Sequence, residues 1–321
     1  MVPFFIPLAG AIALFLFGME LLRGGLCRLS QKRLQPLLMQ ATQSIWQAVL
    51  LGTVVTAFIQ SSSAVTIIIV GLVAGHVIAL EQAAGLIAGA NLGTCTTAFL
   101  VHFGLCTEGP ALFQGIHPVL LLCLLLPLLV YRRCPPLLSV CAGLVALLAG
   151  MYRMQDALAP LAGTPQLSML LSAWDSPLTG LLSGTAVTAI LQSSSACIAM
   201  LQTLSGSGML SIGCILPVIL GQNIGTCVTA MLAAVHAGRE ARQAAWMHLL
   251  FNLLGAAVVL PIHQICCLFL PYAMAQPADS LTIAWLHLLC NLAALLAFVP
   301  LYRRMGKQKG SRRSRSQVGR I

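Results

Sequence analysis

Residues 52–64 read GTVVTAFIQSSSA and residues 184–196 read GTAVTAILQSSSA, identical at ten of 13 positions with an offset of 132. A second pair, GANLGTCTTA from Gly89 and GQNIGTCVTA from Gly221, matches at seven of 10 with the same offset of 132. Two separate motifs that keep one offset mean a duplicated chain. The unit is about 130 residues, followed by one extra C-terminal helix and a tail.

Composition places this duplication in a membrane. Of 321 residues, 59% are hydrophobic and 7% are charged, and mean hydropathy is +0.94. A soluble domain carries about 25% charged residues, so this chain cannot cover its surface with ions. The length leaves no room for a large extramembrane enzyme. Net charge is +10, and eight of the 17 Lys/Arg fall in the last 20 residues. The rest sit in short loops, which is a topology signal before it is a partner signal. The 12 cysteines lie in apolar segments without a CxxC pair or zinc spacing, so they read as small packing residues. Residues 1–22 lack a basic n-region and a cleavage site, and are expected to be a retained first helix.

Apolar stretches fall at matching places in the two copies. The first has a span near 3–22, a broken pair near 45–60 and 64–79, and spans near 83–103 and 112–131. The second has a span near 136–152, a broken pair near 178–191 and 196–210, and spans near 213–235 and 243–262. A last span runs near 281–301. Each half of a broken pair is about 15 residues, short of the ~20 needed to cross a bilayer. Both pairs are interrupted at Gln-Ser-Ser-Ser, which predicts helical hairpins of re-entrant type.

Charge orients the copies. Arg23, Arg28, Lys32 and Arg33 follow the first span, whereas the matching loop of copy two, 153–176, holds Arg153 with Asp156 and Asp175. With the N-terminus outside, 16 of the 17 basic residues fall inside and Arg153 alone falls outside. The positive-inside rule then makes the copies point in opposite directions. The expected fold is an all-α polytopic membrane protein of two inverted-topology repeats, each with a broken hairpin, plus one extra C-terminal transmembrane helix. The expected divisions are 1–131 and 132–263 for the repeats, 264–301 for the extra helix and 302–321 for a basic, disordered cytoplasmic tail. That tail is expected to meet anionic lipid and not nucleic acid.

Inverted repeats with interrupted helices are a signature of secondary transporters, with the site near the midplane between the copies. Gly52, Thr56 and Gln60 recur at i, i+4, i+8 along one helix face, and Gly184, Thr188 and Gln192 repeat the stripe. Ser61, Ser62 and Ser63, with Ser193, Ser194 and Ser195, sit where the second half-helices begin. Serine caps helix starts, and a helix start offers free N–H groups and a positive dipole end to an anion. Two such ends could grip one tetrahedral oxyanion with neutral donors. The preceding helix ends, with Gln and Thr oxygens, suit a small hard cation. Asn91, Thr94, Asn223 and Thr226 are further candidate cation ligands if GxNxGT marks a locally unwound helix. The competing structural account of GxNxGT is a glycine-permitted close helix crossing, and of Ser and Thr generally, capping and packing.

AWMHLLFNL from Ala245 is echoed by AWLHLLCNL from Ala284, which pairs His248 with Asn252 and His287 with Asn291 at i, i+4. Interhelical hydrogen bonding is the expected role, with a proton relay as the alternative. Seven acidic residues exist and none lies in a repeated motif, so sodium held by neutral oxygens is preferred over protons. Glu20 is expected to pair with Arg23 on the next turn.

At these motifs the sequence resembles the type II sodium/phosphate cotransporter family. The duplicated QSSS hairpins, the GxNxGT segments, the opening ALFLFGMELLRGGL from Ala13 and the HLLFN element at His248 carry the resemblance over nearly all of residues 1–301. It implies sodium-coupled uptake of inorganic phosphate by alternating access in the plasma (bacterial inner) membrane. Both QSSS regions would then form the substrate and sodium sites, with no cofactor beyond the coupling ion and no enzymatic activity. In copy one the counterpart of His248 and Asn252 is degraded, with His117 one position off register and Leu120 in place of the Asn. The chain ends in a basic tail where many bacterial relatives carry a regulatory domain, and the carboxylate-free motifs point to an electroneutral cycle. Another oxyanion as cargo, phosphate export, an intramembrane Ser/His hydrolase and a channel are the alternatives. The oligomeric state stays open, a homodimer included.

Overall fold

A computed structural model of the chain describes residues 2–40, 44–106, 135–158, 160, 164, 171–172, 174 and 176–318. Eleven helices form among them: α1 (Val2–Gln40), α2 (Ile45–Ile59), α3 (Ser62–Ala74), α4 (Leu80–Cys106), α5 (Pro136–Leu158), α6 (Pro177–Leu191), α7 (Ser194–Ser205), α8 (Ile212–Ala234), α9 (Gly238–Phe269), α10 (Pro271–Met274) and α11 (Ser280–Val318). The span expected near 112–131, with His117 and Leu120, lies outside the described residues. Asp175 does as well.

Among the described residues, six helices are long and apolar enough to cross a membrane: Ile6–Leu26, Leu80–Leu105, Pro136–Met154, Ile212–Ala234, Gly238–Phe269 and Ser280–Pro300. Ile45–Ile59, Ser62–Ala74 and Pro177–Leu191 are apolar but shorter. The chain is a polytopic, all-helical integral membrane protein. Helix α11 continues to Val318, through most of the tail whose composition alone reads as disordered. Lys, Arg and Gln are good helix formers, and extending an existing helix needs no new nucleus. Asp279 caps the start of α11, accepting from the Thr282 N–H at 2.7 Å. That bond and the Thr282 side chain hold its carboxyl below the ordinary value.

Glycine decides how the helices meet. A Cβ on Gly52 would lie 2.2 Å from the Leu86 carbonyl oxygen, and one on Gly89 would lie 2.1 Å from that of Val49. Copy two repeats the seam: Gly184 meets Val218 O at 2.3 Å and Gly221 meets Leu181 O at 2.1 Å. Along α4, Gly85, Gly89 and Gly93 meet Ala48, Val49 and Thr53 in ascending order, so α2 and α4 run parallel. Gly180, Gly184 and Gly221 with Gly225 give the same direction for α6 and α8. These are small-xxx-small crossings, in which missing side chains let backbones approach. Helix α3, which follows α2 and leads to the parallel α4 through the short link 75–79, runs back in the opposite direction.

The GxNxGT segments are therefore not unwound. Helices α4 and α8 pass through them without interruption, because neighbouring backbone packs into the glycine gaps and water has no access to loosen the turn. The close-crossing account is the one that holds. A separate antiparallel pair, α1 with α5, uses the same device. A Cβ on Gly18 would meet Leu147 N at 2.3 Å and one on Gly143 would meet Leu22 N at 2.4 Å.

Candidate functional site

Each QSSS motif folds into the same local structure. Helix α2 ends at Gln60, whose φ of 59° is left-handed and whose N–H donates to Thr56 O at 2.7 Å. Helix α6 ends identically at Gln192, φ 53°, with its N–H on Thr188 O at 2.7 Å. A non-glycine residue held there costs of order 1 kcal/mol and persists only where the surroundings over-determine it. The next serine turns the chain into a new helix. Ser61 Oγ accepts from Ala64 N at 3.2 Å and Ser193 Oγ accepts from Ala196 N at 3.3 Å. The N–H groups of Ser62 and Ser63, and of Ser194 and Ser195, are first-turn donors with no intrahelical acceptor.

These two breaks meet at one cavity of about 290 Å³, walled by Gln60–Ser63, Gln192–Ser195, Leu191 and, from α1, Leu16, Met19, Glu20 and Arg23. Two helix starts, α3 and α7, thus face a common volume lined by hydroxyls. Ser62, Ser194 and Ser195 are buried in its wall. Neutral donors and two positive dipole ends are the chemistry that receives a small anion.

The motifs match in backbone but differ in how the glutamine is held. Gln60 is 7% exposed, donates from Nε2 to Ala57 O and to Thr96 Oγ1, and accepts from Thr97 Oγ1 at 2.8 Å. Gln192 is exposed to the cavity. Two differences accompany this: Thr96 aligns with Val228, which has no hydroxyl, and Thr229, the counterpart of Thr97, donates instead to Thr226 O at 2.8 Å. That difference is legible in the aligned motifs, as Thr against Val.

Of the other candidate residues, none lines the cavity. Thr56 and Thr188 are fully buried one turn below the breaks, at the glycine crossings with α4 and α8. Thr56 Oγ1 has no hydrogen-bond partner among the described residues, and Thr188 has the Cys197 thiol beside it. Thr94 Oγ1 donates to Ala90 O at 3.0 Å and Thr226 Oγ1 donates to Gln222 O at 2.8 Å. Asn91 and Asn223 belong to a buried lattice with the two His/Asn pairs. His248 Nε2 lies 3.4 Å from Asn91 Oδ1, and Asn252 Nδ2 donates to Cys227 Sγ at 3.1 Å. His287 Nε2 lies 3.1 Å from Asn223 Oδ1, and Asn291 Nδ2 donates to Cys95 Sγ at 3.5 Å. Helices α9 and α11 therefore make equivalent bonds, each reaching both α4 and α8. Both His/Asn pairs thus bond across helices in this packing.

Sequence reasoning missed one feature. Glu20 and Arg23 do pair, with Arg23 Nη2 2.7 Å from the carboxylate, but α1 brings that pair to the cavity wall. Only the packing of α1 on the two breaks could reveal this, because Glu20 and Arg23 lie outside the repeated motifs.

The family model described as Na+/Pi-cotransporter matches residues 14–133 and again residues 146–271, one stretch in each copy. The chain belongs to the Na+/Pi-cotransporter family. Among relatives, the uncharacterized Bacillus subtilis protein YqeW is 33% identical over 283 residues, 86% of this chain and 88% of that protein. YjbB of Salmonella typhimurium, which carries a name for inorganic phosphate export, is 30% identical over 260 residues, 79% of this chain but 46% of its own length. The rabbit sodium-dependent phosphate transport protein 2A is 38% identical over 92 residues, 27% of this chain and 14% of that protein. No solved structure is significantly similar to the chain. The cotransporter family is one of transporters, not enzymes. In this member of the cotransporter family, both cavity-forming breaks lie within the matched stretches.

Proposed function

We propose that this protein is a sodium-coupled symporter that moves inorganic phosphate across the plasma membrane by alternating access. The observation that carries the reading is the single cavity built by both QSSS breaks, where two helix starts and six serines surround a volume suited to one tetrahedral oxyanion. Ser61, Ser62, Ser63, Ser193, Ser194 and Ser195 hold phosphate with hydroxyls and first-turn N–H groups. Sodium takes the oxygens at the preceding helix ends: Gln60 and Gln192 side chains, with Thr56 and Thr188 beneath them. Thr94 and Thr226 donate their hydrogens to helix carbonyls, which leaves oxygen lone pairs for a cation, and Asn91 and Asn223 complete the outer oxygens. Sodium is the coupling ion and no cofactor takes part.

The two copies are inverted repeats, 1–131 and 132–263, with the N-terminus outside and the basic C-terminus in the cytoplasm. The charge asymmetry of their loops supports this orientation, and the return of α3 before a helix α4 parallel to α2 supports a hairpin that comes back to its starting side. Export is the second reading, favoured by the name of the YjbB relatives. Radiolabelled phosphate flux into proteoliposomes, under an inward sodium gradient and with choline in its place, tests both. Uptake that requires sodium is the expected result. Equal flux in both conditions would remove sodium from the mechanism.

A further inference from the structure

The cavity wall is neutral except at one place. Among the described residues lining it, Glu20 and Arg23 are the charged ones. They sit on one face of α1 at i, i+3, and a single guanidinium nitrogen, Arg23 Nη2, lies 2.7 Å from both Oε1 and Oε2 of Glu20. Both side chains are partly solvent-exposed, 37% for Arg23 and 50% for Glu20, so the pair stands at the open side of the cavity. As an exposed ion pair it adds little to stability. Its placement beside six serine hydroxyls and two helix starts calls for another role.

We infer that Glu20 and Arg23 form a clamp that sets phosphate affinity, resting on the assignment of the QSSS cavity as the phosphate site. The guanidinium is a planar fork with five N–H donors. Glu20 uses Nη2 alone, and the Nε and Nη1 N–H groups make no hydrogen bond among the described residues. Those N–H groups remain able to donate to the oxygens of a doubly charged tetrahedral anion, from a spread of donors that a lysine ammonium lacks. Glu20 has two effects on the same event. It fixes the guanidinium against the wall, and its negative charge opposes the incoming anion. A carrier must release its cargo as well as bind it, and a bare arginine facing a divalent anion in a low-dielectric cavity would hold it too long. The carboxylate tempers that grip.

The clamp predicts opposite effects from its two halves. In sodium-driven phosphate uptake by proteoliposomes containing the full chain, Arg23→Gln raises the phosphate KM about tenfold, which corresponds to about 1.4 kcal/mol, while sodium activation stays as in wild type. Glu20→Gln lowers the phosphate KM severalfold and slows maximal uptake, because release becomes the slower step. Arg23→Lys keeps the charge without the fork and gives a smaller rise, which preserves the test if the glutamine variant fails to fold. A wild-type KM in Arg23→Gln overturns the inference and leaves the cavity assignment standing. So does a shift of KM in the same direction by both variants, which is what a merely structural pair produces. Wild-type protein that takes up no phosphate overturns the cavity assignment and the clamp together.

Discussion

Gly89→Ala probes the seam that places the QSSS break, and its size can be worked from the structure. The added Cβ would sit 2.1 Å from Val49 O, against 3.4 Å or more for an ordinary contact, so α2 and α4 must part by about 1.3 Å. The obstacle is a backbone carbonyl and cannot swing aside. A gap of 0.5–1 Å already forfeits a quarter to a half of each dispersion contact, and Gly52 and Gly93 pack on the same seam. Overpacking of this kind costs about 3 kcal/mol, the upper end of the usual range. Alanine recovers up to about 1 kcal/mol through helix propensity, which leaves a net loss of about 2 kcal/mol. In detergent the thermal midpoint then falls by about 4–8 °C. Gly221→Ala, facing Leu181 O at 2.1 Å, behaves alike, whereas Gly71→Ala, with nothing within 4 Å, melts at or slightly above wild type. A Gly89→Ala protein as stable as Gly71→Ala would refute the parallel close packing of α2 on α4.

Further outcomes follow from the same contacts. Gln60→Ala and Gln192→Ala both abolish sodium-driven phosphate uptake with protein still in the membrane. Only Gln60→Ala also lowers the melting midpoint, through a loss of about 1–3 kcal/mol for stranding the Thr97 hydroxyl, since Gln192 has no comparable partners among the described residues. His287→Leu leaves Asn223 Oδ1 unpaired in a buried site and destabilises the detergent-solubilised protein by about 1–3 kcal/mol. A melt indistinguishable from wild type would remove that bond from the core. Asp279→Ala removes the cap of α11 and costs about 1 kcal/mol at neutral pH. The folded carboxyl sits below its ordinary value of 3.8, so this contribution is present above that pH and disappears as pH falls beneath it. The gap between melts of wild type and variant should therefore be full at pH 7 and narrow as pH is lowered below 3.8.

Much of the architecture was legible because two signals do not depend on tertiary context. Hydropathy marks the spans, and a duplicated motif at one offset marks equivalent positions in two copies. The helix starts at Ser62 and Ser194 were readable for a local reason: serine caps act within three residues. What stayed hidden depends on neighbours. Gly89 and Gly93 read equally as a loosened helix or as a close crossing, and only the carbonyls of α2 that fill their gaps decide between them. Thr56 and Thr188 share a helical stripe with Gln60 and Gln192 in one dimension, and Asn91 and Thr94 belong to the second repeated motif. Yet the crossing with α4 turns Thr56 away from the cavity, and the His248 ring engages Asn91. The approach of Glu20 and Arg23 to the cavity belongs to the packing of α1, which no repeat encodes.

The lattice of His248, Asn252, His287 and Asn291 limits how this molecule can move. Helices α9 and α11 act as two bolts, each driven through both copies, since each bonds to α4 and to α8. Prising the copies apart would break four buried polar contacts at once. Helices α1 and α5 form a second stiff piece, closed backbone to backbone at Gly18 and Gly143. The boundary between the two pieces is softer, made of small and flexible side chains such as Ala11, Met19, Met151, Ala196 and Ala199. The serine cavity lies on that boundary, with α1 as one wall and both helix breaks as the other. That cavity therefore sits in a joint between two solid parts, where a sliding of one past the other would change its shape without opening either.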